Sequence, residues 1–130
     1  MINTHEQAQH TFSIFQLQRD HSDERIRKAQ LFIEKNYEQT ISIEKLAGTY
    51  NMSIRNFIRR FEAATGNTPL EYLQRVRIEA AKKLLENNND SMEQIAIQCG
   101  YDDIGFFRKV FKRHVAINPK EYQKKYGKRA

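Results

Sequence analysis

The 130-residue sequence predicts an all-α fold of seven helices, and three features carry that prediction. Apolar residues recur at helical spacing along most of the chain, and residue types that cap helix N-termini stand at the head of each such stretch. No segment alternates apolar and polar residues as a half-buried strand does. Five glycines and two prolines are also too few for a turn-rich β protein.

Each element follows in order. Residues 1–21 are rich in Gln, His, Asn and Thr; Phe12, Ile14, Phe15 and Leu17 form a short apolar cluster without a sustained period, so this stretch reads as an N-terminal arm or interdomain linker. The first helix is expected over roughly 23–36, where Ser22 can cap, Asp23 and Glu24 suit the positive end of the helix dipole, and Ile26, Ala29, Ile33 and Tyr37 share a face. Ser42 heads a second helix carrying Leu46 and Ala47, and Ser53 heads a third carrying Phe57 and Phe61. Thr68-Pro69-Leu70-Glu71 combines a capping box with proline at the first helical position and opens a long helix over about 69–86. Ser91-Met92-Glu93-Gln94 is another capping box, an aspartate (102 or 103) precedes Phe107, Val110 and Phe111, and Asn118-Pro119-Lys120-Glu121 repeats the proline-bearing box. Gly66-Asn67, the Asn87–Asp90 run, Gly100 and Ile117-Asn118 break the chain between them.

Charge is unevenly placed. The chain carries +6, yet residues 1–50 hold six Lys/Arg against seven Asp/Glu, while residues 51–130 hold sixteen against nine. All of the excess therefore lies in the last eighty residues, as in a surface that meets a polyanion. No run approaches 18 apolar residues, so no membrane span is expected. The first twenty residues lack the layout of a secretory signal. Cys99 is a lone cysteine and His5, His10, His21 and His114 are scattered, so neither a disulfide nor a metal site is expected. No Gly-rich phosphate loop and no catalytic constellation is present; the reading is of a non-enzyme without a cofactor.

The deciding observation is an internal repeat. Phe57, Phe61, Pro69, Glu71 and Tyr72 recur fifty residues on as Phe107, Phe111, Pro119, Glu121 and Tyr122. Ser42, Leu46 and Ala47 match Ser91, Ile95 and Ala96 at an offset of forty-nine, so one residue is inserted in the intervening turn. Each unit reads as a short helix with a small residue (Ala47, Ala96), a tight turn and a second helix: two helix-turn-helix subdomains, about 42–65 and 91–114, joined by a long central helix. At about 1.5 Å per residue that helix is roughly 27 Å long, which matches in scale the ~34 Å between successive major grooves on one DNA face.

In such a motif the second helix buries one face and offers the other. With Phe57, Phe61 and Ala64 inward, Arg55, Asn56, Arg59 and Arg60 remain; with Phe107, Val110 and Phe111 inward, Ile104, Gly105, Arg108, Lys109, Lys112 and Arg113 remain. An ordinary solvated face mixes signs to gain i,i+4 pairs, and these stretches do not. Arg55 and Arg59 are the leading base readers of the first unit, since arginine reads guanine bidentately. Arg108 and Lys109 are those of the second, with Gly105 allowing close backbone approach. Asn56, Arg60, Lys112 and Arg113 are assigned to phosphates, which set register. Ile58 and Ile104 either pack inward or meet a thymine methyl. The function expected is sequence-specific binding of double-stranded DNA. A basic module docking on an acidic protein, or an RNA binder, would share the charge, but two equal units serve a duplex more directly. With eight phosphates engaged, log affinity would fall against log salt with a slope of roughly −7.

The segments Gly100–Asp103, Phe107–Arg113 and Pro119–Tyr122, with Met52–Phe57, Arg60-Phe61, Thr65–Pro69 and Tyr72–Leu85, resemble the AraC/XylS family of transcription regulators over about residues 24–126. The resemblance implies an AraC-type DNA-binding domain over 22–130, seven-helixed and two-lobed, which bends promoter DNA, acts as an activator and often contacts RNA polymerase. It also implies a bacterial, cytoplasmic setting. Ala116 departs from the family's usual glycine. The stretch from Phe12 through Gln18, His21 and Asp23 to Ala29-Gln30 resembles the linker of GlxA-like members. The ligand-sensing or dimerisation domain usual in the family is not in this sequence, so the chain is expected to be the C-terminal part of a longer regulator.

Overall fold

A computed structural model of the chain describes residues 15–128. Among the described residues there is no strand, and eight helical segments are present: α1 over residues 15–19, α2 Glu24–Asn36, α3 Ile43–Thr49, α4 Ile54–Thr65, α5 Pro69–Asn87, α6 Met92–Gln98, α7 Ile104–Val115 and α8 Pro119–Tyr126. The seven helices read from the sequence correspond to α2–α8. The additional one, α1, was not legible because five residues carry no period, and its partners are remote. Phe15 is buried edge-on against Tyr72 at 5.6 Å, and the Gln18 amide donates to the Thr65 carbonyl and the Asn67 side chain. Phe12 and Ile14 lie outside the described residues.

Local chemistry sets the helix starts. Ser42, Ser53, Ser91, Asp103 and Asn118 each accept a hydrogen bond from the backbone N–H three residues on. Thr68 and Glu71 form the reciprocal box before Pro69, and Ser91 with Gln94 forms another. Two details differ from the sequence expectation. Asp23, not Ser22, caps α2: its carboxylate accepts from the Ile26 N–H at 3.4 Å and α2 begins at Glu24. At α8 the Glu121 carboxylate accepts from the Asn118 side-chain amide, so that box does not close on the backbone.

The described residues divide into two compact units, one of residues 15–36 and 40–73, the other of 37–39 and 74–128; α5 contributes Pro69–Leu73 to the first and the rest to the second. In the first unit Phe57 and Phe61 lie edge-on at 5.6 Å, and Phe61 meets Tyr72 at 5.4 Å over a base of Ile26, Ala29, Ile33, Leu46 and Ala47. In the second, Phe107, Phe111 and Tyr122 repeat this stack at 6.0 and 5.6 Å over Ile78, Ala81, Leu85, Ile95 and Ala96. Each Phe, Ile and Leu side chain among them contributes about 1.5–3 kcal/mol on burial. The tyrosine hydroxyl of each stack then donates to a glutamate, Tyr72 to Glu34 at 2.6 Å and Tyr122 to Glu86.

The repeat extends to the turns. Met52 N–H donates to the Ala47 carbonyl as Tyr101 N–H does to Ala96, and Asn51 and Gly100 both hold positive φ, 60° and 98°. An offset of forty-nine thus persists to Tyr101, and fifty begins at Asp103. Asp102 is the inserted residue, exposed, while Asp103 is the cap. Gly100 has a further constraint. A Cβ there would stand 2.5 Å from the Tyr37 carbonyl and 2.8 Å from Arg77 Nε. Arg77 occupies that space because it donates to the Tyr37 and Gln39 carbonyls at 2.7 and 2.9 Å while lying 5.1 Å from the Tyr101 ring centre. Cys99, fully buried beside them, is a small core residue whose thiol burial pushes up to about 12.

Candidate nucleic-acid interface

The face of α4 that is turned away from Phe57 and Phe61 carries Ile54, Arg55, Ile58, Arg59 and Glu62, all exposed. On α7 the corresponding face carries Gly105, Phe106, Arg108, Lys109, Lys112 and Arg113, with Ile104 half-buried. Among the described residues, no ion pair engages Arg55, Arg59, Arg108, Lys109 or Lys112. Neither helix has an acidic residue in its first turn, the end that enters the groove in a DNA-bound helix-turn-helix. Lys112 and Arg113 sit in the last turn of α7, where their charge also complements the helix dipole.

Four predicted site residues have internal partners. Arg59 donates to the Asn56 side-chain oxygen at 2.5 Å, one turn earlier, so Asn56 orients Arg59. Arg60 turns away from this face: its fork spans the Asp23 carboxylate at 2.9 and 3.0 Å, and its third nitrogen rests 3.6 Å from Met52 Sδ. The signal was in the repeat, since an offset of fifty pairs Arg60 with Val110, which is buried. Arg113 donates to the buried Gln74 side chain. Gly105 is open to solvent, and a Cβ there would meet the Asp103 carboxylate at 3.2 Å.

Ile58, ambiguous in the sequence, is 37% exposed. Phe106, 49% exposed at the N-terminal end of α7, went unnoticed beside Phe107; adjacent helical residues point some 100° apart, so both cannot face one core.

The twin units, each with an aromatic core and a short helix crossing a longer one whose outer face is cationic, match a helix-turn-helix domain model over residues 46–125. The chain belongs to the AraC-type helix-turn-helix family. It is 30% identical over 102 residues to the HTH-type transcriptional activator RhaS of Enterobacter sp. (strain 638), covering 78% of this chain and 37% of that protein. An HTH-type transcriptional regulator of Haemophilus influenzae is 35% identical over 102 residues, with 78% and 34% covered. The chain thus spans about a third of the length of the curated relatives it matches. Among solved structures, the C-terminal domain of AraT, a response regulator from Geobacillus stearothermophilus, superposes with a TM-score of 0.79 at 25% identity, covering 82% of this chain and 89% of that one. The DNA-binding domain of AdpA, a global transcriptional factor crystallised with a target DNA, gives 0.75 at 29% identity, with 80% and 94% covered.

Proposed function

We propose that this AraC-type domain binds double-stranded promoter DNA sequence-specifically and thereby regulates transcription, the second helix of each unit entering a major groove. The observation that carries the reading is the pair of second helices at one register of the repeat, each with an outward cationic face without ion pairs among the described residues. Arg55 and Arg59 are the base readers of α4, and Asn56 positions Arg59 rather than a phosphate. Arg108 and Lys109 read from α7, with Gly105 open to a close approach, and Lys112 and Arg113 hold phosphates. Arg60 is left out of the interface because Asp23 occupies it.

Family membership supports two finer parts of the reading: RNA polymerase as a second partner, and an activator role like that named for the RhaS relatives. The stretch from Gln18 to Gln30 supports placing the chain near the GlxA-like members. Among the described residues no helix is long and apolar enough to cross a membrane. The proposed promoter partner supports a bacterial cytoplasmic setting, on the nucleoid when bound.

Equilibrium binding of two variants tests the assignment. Arg59→Ala relaxes specificity within one half of the site, at ~1–3 kcal/mol for the lost base pair contact, whereas Lys112→Ala weakens all duplexes alike and reduces the salt slope by about one. Equal losses on every sequence for Arg59→Ala refute its reading role.

A further inference from the structure

The N-terminal turns of the two second helices differ in chemistry. At the third helical position α4 has Asn56, whose side-chain oxygen accepts from Arg59. At the same register α7 has Phe106, with its backbone N–H bonded to the Asp103 cap at 3.1 Å. The Phe106 ring is half exposed and stands edge-on to buried Tyr101, centroids 5.9 Å apart at 62°. Part of the ring is therefore held against the core while the rest meets solvent. Ile104 precedes it, Gly105 between them carries no side chain, and Arg108 and Lys109 follow one turn on. A lone exposed phenylalanine is ordinary, but this one occupies the end of the helix that meets base edges.

Resting on the DNA-binding reading above, we propose that Phe106, aided by Ile104, recognises a thymine 5-methyl group in the half-site bound by the second unit. Of the four bases, thymine alone presents an apolar group in the major groove, and an aromatic ring cannot satisfy the donors and acceptors of the others. The neighbouring cations bring this apolar tip to the duplex, since Arg108 and Lys109 have no acidic partner among the described residues. Tyr101 fixes the ring beforehand, which limits the rotamer freedom lost on binding. The second half-site thus includes a methyl-dependent thymine at the register where α4 carries Asn56.

The test uses a duplex selected by the wild-type chain, with its thymines replaced one at a time by deoxyuridine, which lacks only that methyl. One position in the second half is expected to lose about fourfold in affinity, the value of one buried methyl group. Phe106→Ala is expected to bind the thymine and deoxyuridine duplexes equally, and Phe106→Leu to retain part of the discrimination. Indifference to deoxyuridine throughout the second half overturns the proposal, as does discrimination that survives Phe106→Ala, or a selected second half-site without thymine. A chain that binds no duplex sinks the DNA-binding reading and this inference with it, whereas tight, methyl-indifferent binding sinks this inference alone. The deoxyuridine comparison needs only wild-type protein, so a variant that fails to fold does not blunt it.

Discussion

The C-terminus of α7 gives a test in which the conformational cost stands nearly alone. Ala116 caps that helix at φ 77°, ψ −11°, the left-handed region that Gly66 adopts at the end of α4 with φ 82°, ψ −2°. Both backbone N–H groups close the same bond, to the carbonyl four residues back, at 2.8 and 2.9 Å. A side chain in this region costs roughly 1–2 kcal/mol, and glycine returns about 0.4–1 kcal/mol of that through the extra freedom of its unfolded chain. Ala116 is exposed, so replacing it removes little buried surface. Ala116→Gly is therefore expected to stabilise the second unit by about 0.5–1 kcal/mol, or about 2–4 °C in Tm. The reverse change, Gly66→Ala, should cost the first unit a similar amount, because nothing stands within 4 Å of where its Cβ would go. Urea denaturation followed by circular dichroism reads both, the midpoint moving while the slope stays constant. A neutral or destabilising Ala116→Gly, with Gly66→Ala also neutral, refutes the conformational reasoning.

Three other outcomes follow from the packing. Gly100→Ala combines a positive φ with a clash against the Tyr37 carbonyl and Arg77, and is expected to cost 3 kcal/mol or more (about the tail reserved for strained backbone sites), seen as a large drop in the denaturation midpoint. Arg60→Ala should lose about 1–3 kcal/mol of stability while leaving the salt slope of DNA binding unchanged, the reverse of Lys112→Ala; a lowered slope for Arg60→Ala contradicts its pairing with Asp23. Burial raises the Cys99 thiol from 9.0 to about 12, so the folded state holds that proton more tightly than the unfolded chain does. Its stabilising contribution is complete below about pH 9 and is lost as pH rises toward 12, with a limiting slope of about 1.4 kcal/mol per pH unit. Tyr72 and Tyr122, both raised first of all by burial, act in the same direction, and Cys99→Ala should make the alkaline decline shallower.

What the sequence made legible was local or periodic. The caps at Ser42, Ser53, Ser91, Asp103 and Asn118 depend on residues three apart, and the aromatic stacks depend on helical spacing repeated at fifty residues. What it hid depended on partners far along the chain. Asp23 claims Arg60 across 37 residues, the Tyr37 and Gln39 carbonyls claim Arg77 across 40 and 38, and Tyr72 fixes Phe15. A patch defined as positions that are not core includes such side chains by default, which is how Arg60 entered the expected site. Phe106 was missed for a different reason: beside the core residue Phe107 it was placed neither among the inward positions nor among the outward ones.

Selection of duplexes from a random library by the wild-type chain tests the central claim most directly. Two distinct half-motifs within one site are the predicted result, with disruption of either weakening binding and Arg59→Ala degrading only one of them. A pool that shows no enrichment, or a single half-motif sufficient for full affinity, contradicts the account.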